Sequence, residues 1–442
     1  MRDNKRAEID MSNKEMNANR ISENPPDEAS AIGFHIMAKP IGPVCNLNCE
    51  YCFYLEKKAL FAENENYRMS DKVLKAFIQK YIRSNDIPEI PFAWQGGEPM
   101  LMGLDFFKKA VRLQKQYSHG KRITNSLQTN GILLDDAWCE FLAKNNFLVG
   151  ISLDGPEDIH NLYRVDGWGR GTFSSVMKAV ELMQKHGVEY NVLACITRES
   201  ARRPLDVYHF FKDHGVEFIQ FIPIVERMPD DDTHALGLKL AAPPDVGVEN
   251  IANVTPWAVE PNSYGDFFIS IFEEWVRNDV GKAFVMNFEW ALMSWMGGDS
   301  TVCQFSRQCG RSVIMEHDGN IYACDHFMCP RYLLGNVLSS DPKRLIDAPQ
   351  QKAFGTRKET SLPQCCRECD VLFACHGGCP KHRFAATLQK EPGLNYLCEG
   401  HRKFFRHINK YMIAMRHLLE NNLPVSNIME ATRGPLVIKL PT

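Results

Sequence analysis

The chain has 442 residues, 44% hydrophobic and 24% charged, enough to bury a full core and to form two or three domains. A formal net charge of -3 supplies no basic surface for nucleic acid, and no apolar run is long enough to span a membrane. Residues 1–33 are polar and lack a signal peptide's apolar core, so a cytoplasmic protein is expected; there the 15 cysteines stay reduced and argue for metal or cluster ligation over disulfides.

Residues 1–33, with Pro25-Pro26 and little apolar periodicity, read as a disordered N-terminal extension. From there to about residue 230, short apolar runs at 34–38, 91–95, 123–129, 148–154, 190–196 and 218–225 alternate with amphipathic stretches. Those stretches lie near 70–84, 104–117, 135–145, 173–187 and 203–214 and repeat apolar residues at three and four, which predicts helices. Strand alternating with helix implies a parallel sheet wrapped by helices, and six units rather than eight leave a barrel open on one side. Residues 227–262, rich in Asp, Pro, Gly and Ala, read as an irregular connection. A helix is then predicted from a capping-box-like Ser263-x-x-Asp266, and a second from Phe288 to Met296, closed by Gly297-Gly298. A last amphipathic helix is expected over 399–422, with a loosely ordered tail after Pro424.

Cysteine carries the chemistry. Cys45-x3-Cys49-x2-Cys52 follows the first apolar run and so lies on a loop leaving a sheet edge. Four thiolates close a [4Fe–4S] cube, whereas three leave one iron free for another ligand. A zinc knuckle, or three unrelated buried thiols, is the plainer alternative. Eight more cysteines follow: Cys303, Cys309 and Cys324, then Cys366, Cys369, Cys375, Cys379 and Cys398. They suffice for two fully ligated cubes, with a zinc ribbon as the rival, and spacing alone does not say which four belong together. Cys139 and Cys195 read as packing residues, while Cys329 and Cys365 lie near enough to ligands to exchange with them. Gly96-Gly97-Glu98-Pro99 follows the second run, where bare backbone can approach a ligand and a carboxylate sits at a sheet end. Ser152 and Asp154 end the fourth run, Arg164 follows, and their plain reading is turn chemistry with a surface arginine.

The stretches 45–54, 94–99, 126–131, 148–156, Gln220-Phe221 and 366–379 together resemble the anaerobic sulfatase-maturating enzymes, a radical S-adenosylmethionine family with an auxiliary-cluster SPASM domain. The resemblance spans nearly all of 34–420. It implies a partial (βα)6 radical SAM barrel at 34–230, a connecting segment with helices at 231–300, the SPASM domain at 301–398 and a C-terminal helix and tail at 399–442. It also implies three [4Fe–4S] clusters and S-adenosylmethionine as cofactors. Cys45, Cys49 and Cys52 would hold the first cluster; Cys303, Cys309, Cys324 and Cys379 the second; Cys366, Cys369, Cys375 and Cys398 the third. Tyr51 would lie against the adenine, Gly96, Gly97 and Glu98 would meet the amino group, Ser152 and Arg164 would bind ribose and carboxylate, and Val225 would also touch the cofactor. The activity implied is oxidation of a cysteine or serine in a sulfatase Cys/Ser-x-Pro-x-Arg motif to Cα-formylglycine. The partners would be the sulfatase polypeptide and a reductant such as flavodoxin or ferredoxin, with no nucleic acid and no membrane. One departure stands out. Where the family pattern has an aspartate as base, this chain has Glu289, within Phe288-Glu289-Trp290; Asp325 and His326 are the other candidate proton acceptors. The rival readings are a related SPASM enzyme acting on another peptide and a non-catalytic iron–sulfur or zinc protein.

Overall fold

The computed structural model describes residues 8–10, 33–63, 65–244, 253–433 and 437–439. Six parallel strands run in chain order: β1 (His35–Lys39), β2 (Glu89–Trp94), β3 (Arg122–Thr129), β4 (Phe147–Ser152), β5 (Tyr190–Ile196) and β6 (Phe218–Pro223). Between them lie α1 (Asp71–Ser84), α2 (Leu104–Tyr117), α3 (Asp136–Lys144), α4 (Glu157–Tyr163), α5 (Phe173–His186) and α6 (Pro204–Asp213). The local causes are ordinary. Ser70 accepts a hydrogen bond from the Val73 N–H to start α1, whose Val73, Leu74, Phe77, Ile78 and Tyr81 form a buried stripe. Ile90, Phe92 and Trp94 alternate inward along β2 and meet that stripe, with Phe77 5.5 Å from Phe92 between ring centroids. Each such side chain contributes about 1.5–3 kcal/mol by leaving water.

The sheet is wider than six strands. β7 (Phe284–Val285), β8 (Ser312–Glu316), β9 (Asn320–Tyr322) and β10 (Leu333–Asn336) extend it to ten, in the order β10-β9-β8-β1-β2-β3-β4-β5-β6-β7. β8 runs parallel to β1, from His35 opposite Ser312 to Lys39 opposite Glu316. The cysteine-rich segment expected to begin at 301 is therefore built onto the barrel sheet and does not stand apart. Its Val313, Ile314 and Met315 are buried, as a strand covered on both faces requires.

Other boundaries moved for local reasons. α4 is a seven-residue helix that the alternation of strand and helix did not predict. α7 (Pro261–Asn278) begins at Pro261 and not at Ser263, because proline at a helix's first position loses no hydrogen bond and already has helical φ. Within the stretch read as irregular, Asp230 and Thr233 form a capping box for a short helix, Asp231–Ala235. α8 (Met286–Trp295), α9 (Pro349–Thr360) and α10 (Cys398–Glu420) complete the larger helices. α10 packs on α7 through Phe404 against Phe268 at 5.2 Å and Tyr411 against Phe272 at 5.4 Å. The tail is more ordered than expected: Ile428, which opens the helix Ile428–Ala431, is fully buried. Glu8–Asp10 pairs antiparallel with Val437–Lys439; the rest of the extension predicted to be disordered, apart from Gly33, lies outside the described residues. No helix among the described residues is long and apolar enough to cross a membrane.

Candidate functional site

The carboxyl ends of the six parallel strands converge on a cavity of about 210 Å3, the end of such a sheet where ligands are commonly held. Cys45, Cys49 and Cys52 all line it, on the loop that leaves β1. The loop is tied down on three sides. Val44 accepts from the Glu98 N–H at 2.9 Å, and a Cβ on Gly97 would lie 1.9 Å from the Val44 carbonyl oxygen. Glycine at 97 is thus demanded by the cysteine loop itself, which crosses directly over it. The Asn48 N–H donates to the Val165 carbonyl at 2.8 Å, and the Asn130 side-chain amide donates to Asn46 Oδ1 at 2.8 Å and to Cys45 Sγ at 3.6 Å. On the third side the Tyr54 hydroxyl donates to both oxygens of the buried Glu316, which ends β8.

Burial pushes the Cys45 thiol up to about 12 and the Cys49 thiol up to about 11, and it raises Cys52 as well. Thiols in such surroundings become thiolates when a cation holds them. The donor set therefore fits a cluster: three soft ligands on one loop, facing a cavity with room for a further ligand.

The remaining walls are organised by Asp154, which the sequence presented as a turn residue. Its carboxylate accepts from Arg164 Nε at 2.9 Å and Nη2 at 3.0 Å, from the Cys195 N–H at 2.9 Å and from the Tyr51 hydroxyl at 2.5 Å. Burial alone would raise this carboxyl, but Arg164 holds it below its ordinary range. Arg164 is buried, its guanidinium 5.5 Å from the Tyr51 ring centroid, so the arginine read as a surface residue in the plain account is an interior ion pair. Cys195 is likewise no simple packing residue: its sulfur lines the cavity and accepts from Arg164 Nη2 at 3.6 Å. Ser152 lines the cavity too, its Oγ accepting from Gln128 Nε2 at 3.1 Å.

Two expected contacts fall elsewhere. Gly96 and Gly97 line the cavity, but the Glu98 carboxylate is fully buried behind them, accepting from the Thr129 hydroxyl, the Asn130 N–H and the Met100 N–H at 2.9–3.0 Å. Burial outweighs those bonds and raises it to about 7. Glu98 therefore braces the ends of β2 and β3 from behind the wall. Val225 faces a smaller neighbouring cavity with Glu226, Arg227 and Lys381, while Ile222 and Ile224 line the main one.

Glu289 does not line the cavity. It sits in the first turn of α8, where Asn287 clamps the helix to β6 by accepting from the Phe221 N–H at 3.0 Å and donating to its carbonyl at 3.1 Å. Among the described residues its carboxylate has neither a hydrogen bond nor an ion pair, and burial raises its pKa. Asp325 does line the cavity, in a 2.5 Å ion pair with the buried Lys39, whose ammonium lies 4.0 Å from the Tyr54 ring centroid. His326 is 3.7 Å from Cys379 Sγ and packs edge-on against Phe53. Lys39 and Glu316 were missed by sequence reasoning, and Gln128 and Asn130 entered it only as part of the 126–131 stretch, without a role. Of the two missed residues, only Lys39, a charge closing an apolar run, gave a local signal.

The eight later cysteines fall into two groups. Cys303, Cys309, Cys324 and Cys379 are electrostatic neighbours, burial first and then one another raising the Cys303 and Cys309 thiols to about 11 and about 12. Cys366, Cys369, Cys375 and Cys398 line a second cavity of about 50 Å3, together with Cys365, so Cys365 lies within reach of that group.

Comparison with known proteins points one way. Residues 40–233 match the model of the Radical SAM superfamily. A serine-type anaerobic sulfatase-maturating enzyme of Bacteroides thetaiotaomicron is 46% identical over 406 residues, 92% of this chain and 97% of the relative. A cysteine-type anaerobic sulfatase-maturating enzyme of Clostridium perfringens is 32% identical, covering 84% of this chain and 95% of the relative. The solved structure of native anSMEcpe with bound AdoMet and Kp18Cys peptide superimposes with a TM-score of 0.75 at 31% identity, over 87% of this chain and 99% of that one.

Proposed function

Because this chain belongs to the anaerobic sulfatase-maturating enzymes of the radical S-adenosylmethionine superfamily, we propose that it oxidises one residue of a sulfatase polypeptide to Cα-formylglycine. The target lies in a Cys/Ser-x-Pro-x-Arg motif, and the 46% identity to a serine-type relative against 32% to a cysteine-type one favours serine. The observation that carries the reading is the loop of three thiols facing a cavity shared by all six strand ends.

Cys45, Cys49 and Cys52 would hold the [4Fe–4S] cluster, and as three ligands they would leave room for S-adenosylmethionine beside it. When bound, cluster and cofactor supply the one-electron chemistry that removes a hydrogen atom from the target side chain. The chain's own groups do the rest. The backbone at Gly96 and Gly97 and the Ser152 hydroxyl orient the cofactor, Tyr51 and Arg164 close its walls under the hold of Asp154, and Ile222 and Ile224 keep that side apolar. The proton released as the side chain is oxidised is assigned to Glu289, a carboxylate in the first turn of α8, outside the cavity lining, that burial raises above its ordinary value. The two later cysteine groups would hold two further clusters, which would supply a route for the remaining electron, with a reductant such as flavodoxin or ferredoxin as the outside electron source.

The test is anaerobic incubation of the reconstituted full chain with S-adenosylmethionine, dithionite and peptides carrying Ser-x-Pro-x-Arg or Cys-x-Pro-x-Arg. Mass spectrometry is expected to find the serine peptide short of two hydrogen atoms, with matching 5′-deoxyadenosine. 5′-Deoxyadenosine with both peptides unchanged would move the substrate to another polypeptide.

A further inference from the structure

Two cations lie deep among the later cysteines without an anion to meet them. Lys358, on α9, is 1% exposed, and its ammonium donates to the carbonyl oxygens of Cys303 at 2.8 Å, Gln304 at 3.0 Å and Ser306. Arg383 is also 1% exposed. Its guanidinium donates to the carbonyls of Gly377 at 3.0 Å, Lys358 at 2.5 Å and His376 at 2.9 Å, with longer contacts at 3.5 Å to Gly378 and to the Ser361 hydroxyl. No carboxylate reaches either group among the described residues. Carbonyl dipoles satisfy their hydrogen atoms but not their charge, and a buried charge left uncompensated is strongly destabilising.

Their placement says what the compensation is. Lys358 grips the turn that begins at Cys303. Arg383 grips the 376–378 turn, whose flanking residues Cys375 and Cys379 fall in different cysteine groups. A cube held by four thiolates is anionic, and reduction adds a further negative charge. We propose that Lys358 and Arg383 are the counter-charges of the two auxiliary clusters, Lys358 serving the Cys303 group and Arg383 bridging both, and that they ease reduction of those clusters. They are positioning residues, acting through charge on clusters they do not ligate. The inference rests on the reading of these cysteines as two cluster sites.

The experiment is an anaerobic redox titration of the full-length, cluster-loaded protein followed by EPR, with iron and sulfide counted on every sample. Lys358→Met is expected to lower the reduced-to-oxidised ratio of one auxiliary cluster at least tenfold at a fixed applied potential, about 59 mV for a one-electron couple. Arg383→Met is expected to shift both, and Arg383→Lys, which keeps the charge but not the fork, restores most of the potential. Should Lys358→Met lose iron, Lys358→Gln, an uncharged donor, is expected to give the same shift. Fully loaded variants with unchanged potentials, or Arg383→Lys shifted as far as Arg383→Met, would overturn the inference and leave the cluster reading intact. Too little iron in the unaltered protein for three clusters would overturn that reading, and the inference with it.

Discussion

The two cysteine regions solve opposite problems with the same ligand. Cys45, Cys49 and Cys52 sit on one short loop whose backbone is fixed from outside, by Val44 over Gly97, Asn130 on Asn46 and Tyr54 on Glu316, so the thiols converge while one side of the cavity stays open. The eight later thiols are spread over 96 residues of mostly short elements and are gathered by two buried cations gripping the turns between them. The first arrangement leaves room for a reacting partner. The second offers four thiols to each group, with a cavity of about 50 Å3 at the Cys366 group against about 210 Å3 at the three-cysteine loop. On the proposed function, the number of thiols and the charge of the surroundings, more than ligand type, would separate a reaction centre from a relay.

The comparison breaks most completely at the open site. Cys45→Ala is expected to abolish both 5′-deoxyadenosine formation and peptide oxidation while the iron of the two later groups remains, as measured by chromatography and iron analysis. Next comes Glu289→Gln, expected to slow peptide oxidation by about 100- to 10,000-fold with cofactor cleavage persisting, whereas Glu289→Asp keeps a base. Since burial raises this carboxyl above its ordinary 4.5, the rate should climb with pH through that raised value, and the glutamine variant should lose that limb. Asp154→Asn removes one partner of a buried ion pair and is expected to cost about 3–5 kcal/mol in denaturant melts, with weaker cofactor binding because Tyr51 and Arg164 lose their common anchor. Glu98→Gln puts an amide donor among three donors and is expected to cost about 1–3 kcal/mol. Glu98 binds its proton more readily when folded, so stability falls as pH rises from its ordinary 4.5 to about 7, and the glutamine variant should flatten that slope.

The six parallel strands were legible because each carries its own period and its helix carries another; all six lie within two residues of the predicted runs. The three-cysteine loop was legible because spacing is local. The parallel pairing of His35 with Ser312 was not, since nothing in either segment names a partner more than 270 residues away. Asp154 looked like a turn because its four donors come from residues 51, 164 and 195. Glu98 was placed at the right sheet end but on the wrong side of its wall, a matter of side-chain direction that the Gly-Gly-Glu sequence does not encode. Lys358 and Arg383 gave no signal, because a buried lysine or arginine reads like any surface one until its burial is known.

The contrast between a three-thiol and a four-thiol site is tested most directly by EPR of the reduced full-length protein with and without S-adenosylmethionine, alongside a variant with Cys45, Cys49 and Cys52 all replaced by alanine. The account predicts that adding S-adenosylmethionine changes one cluster signal in the unaltered protein and none in the variant. A signal that still responds in the variant would place the open iron among the later cysteines and contradict the assignment of the two regions.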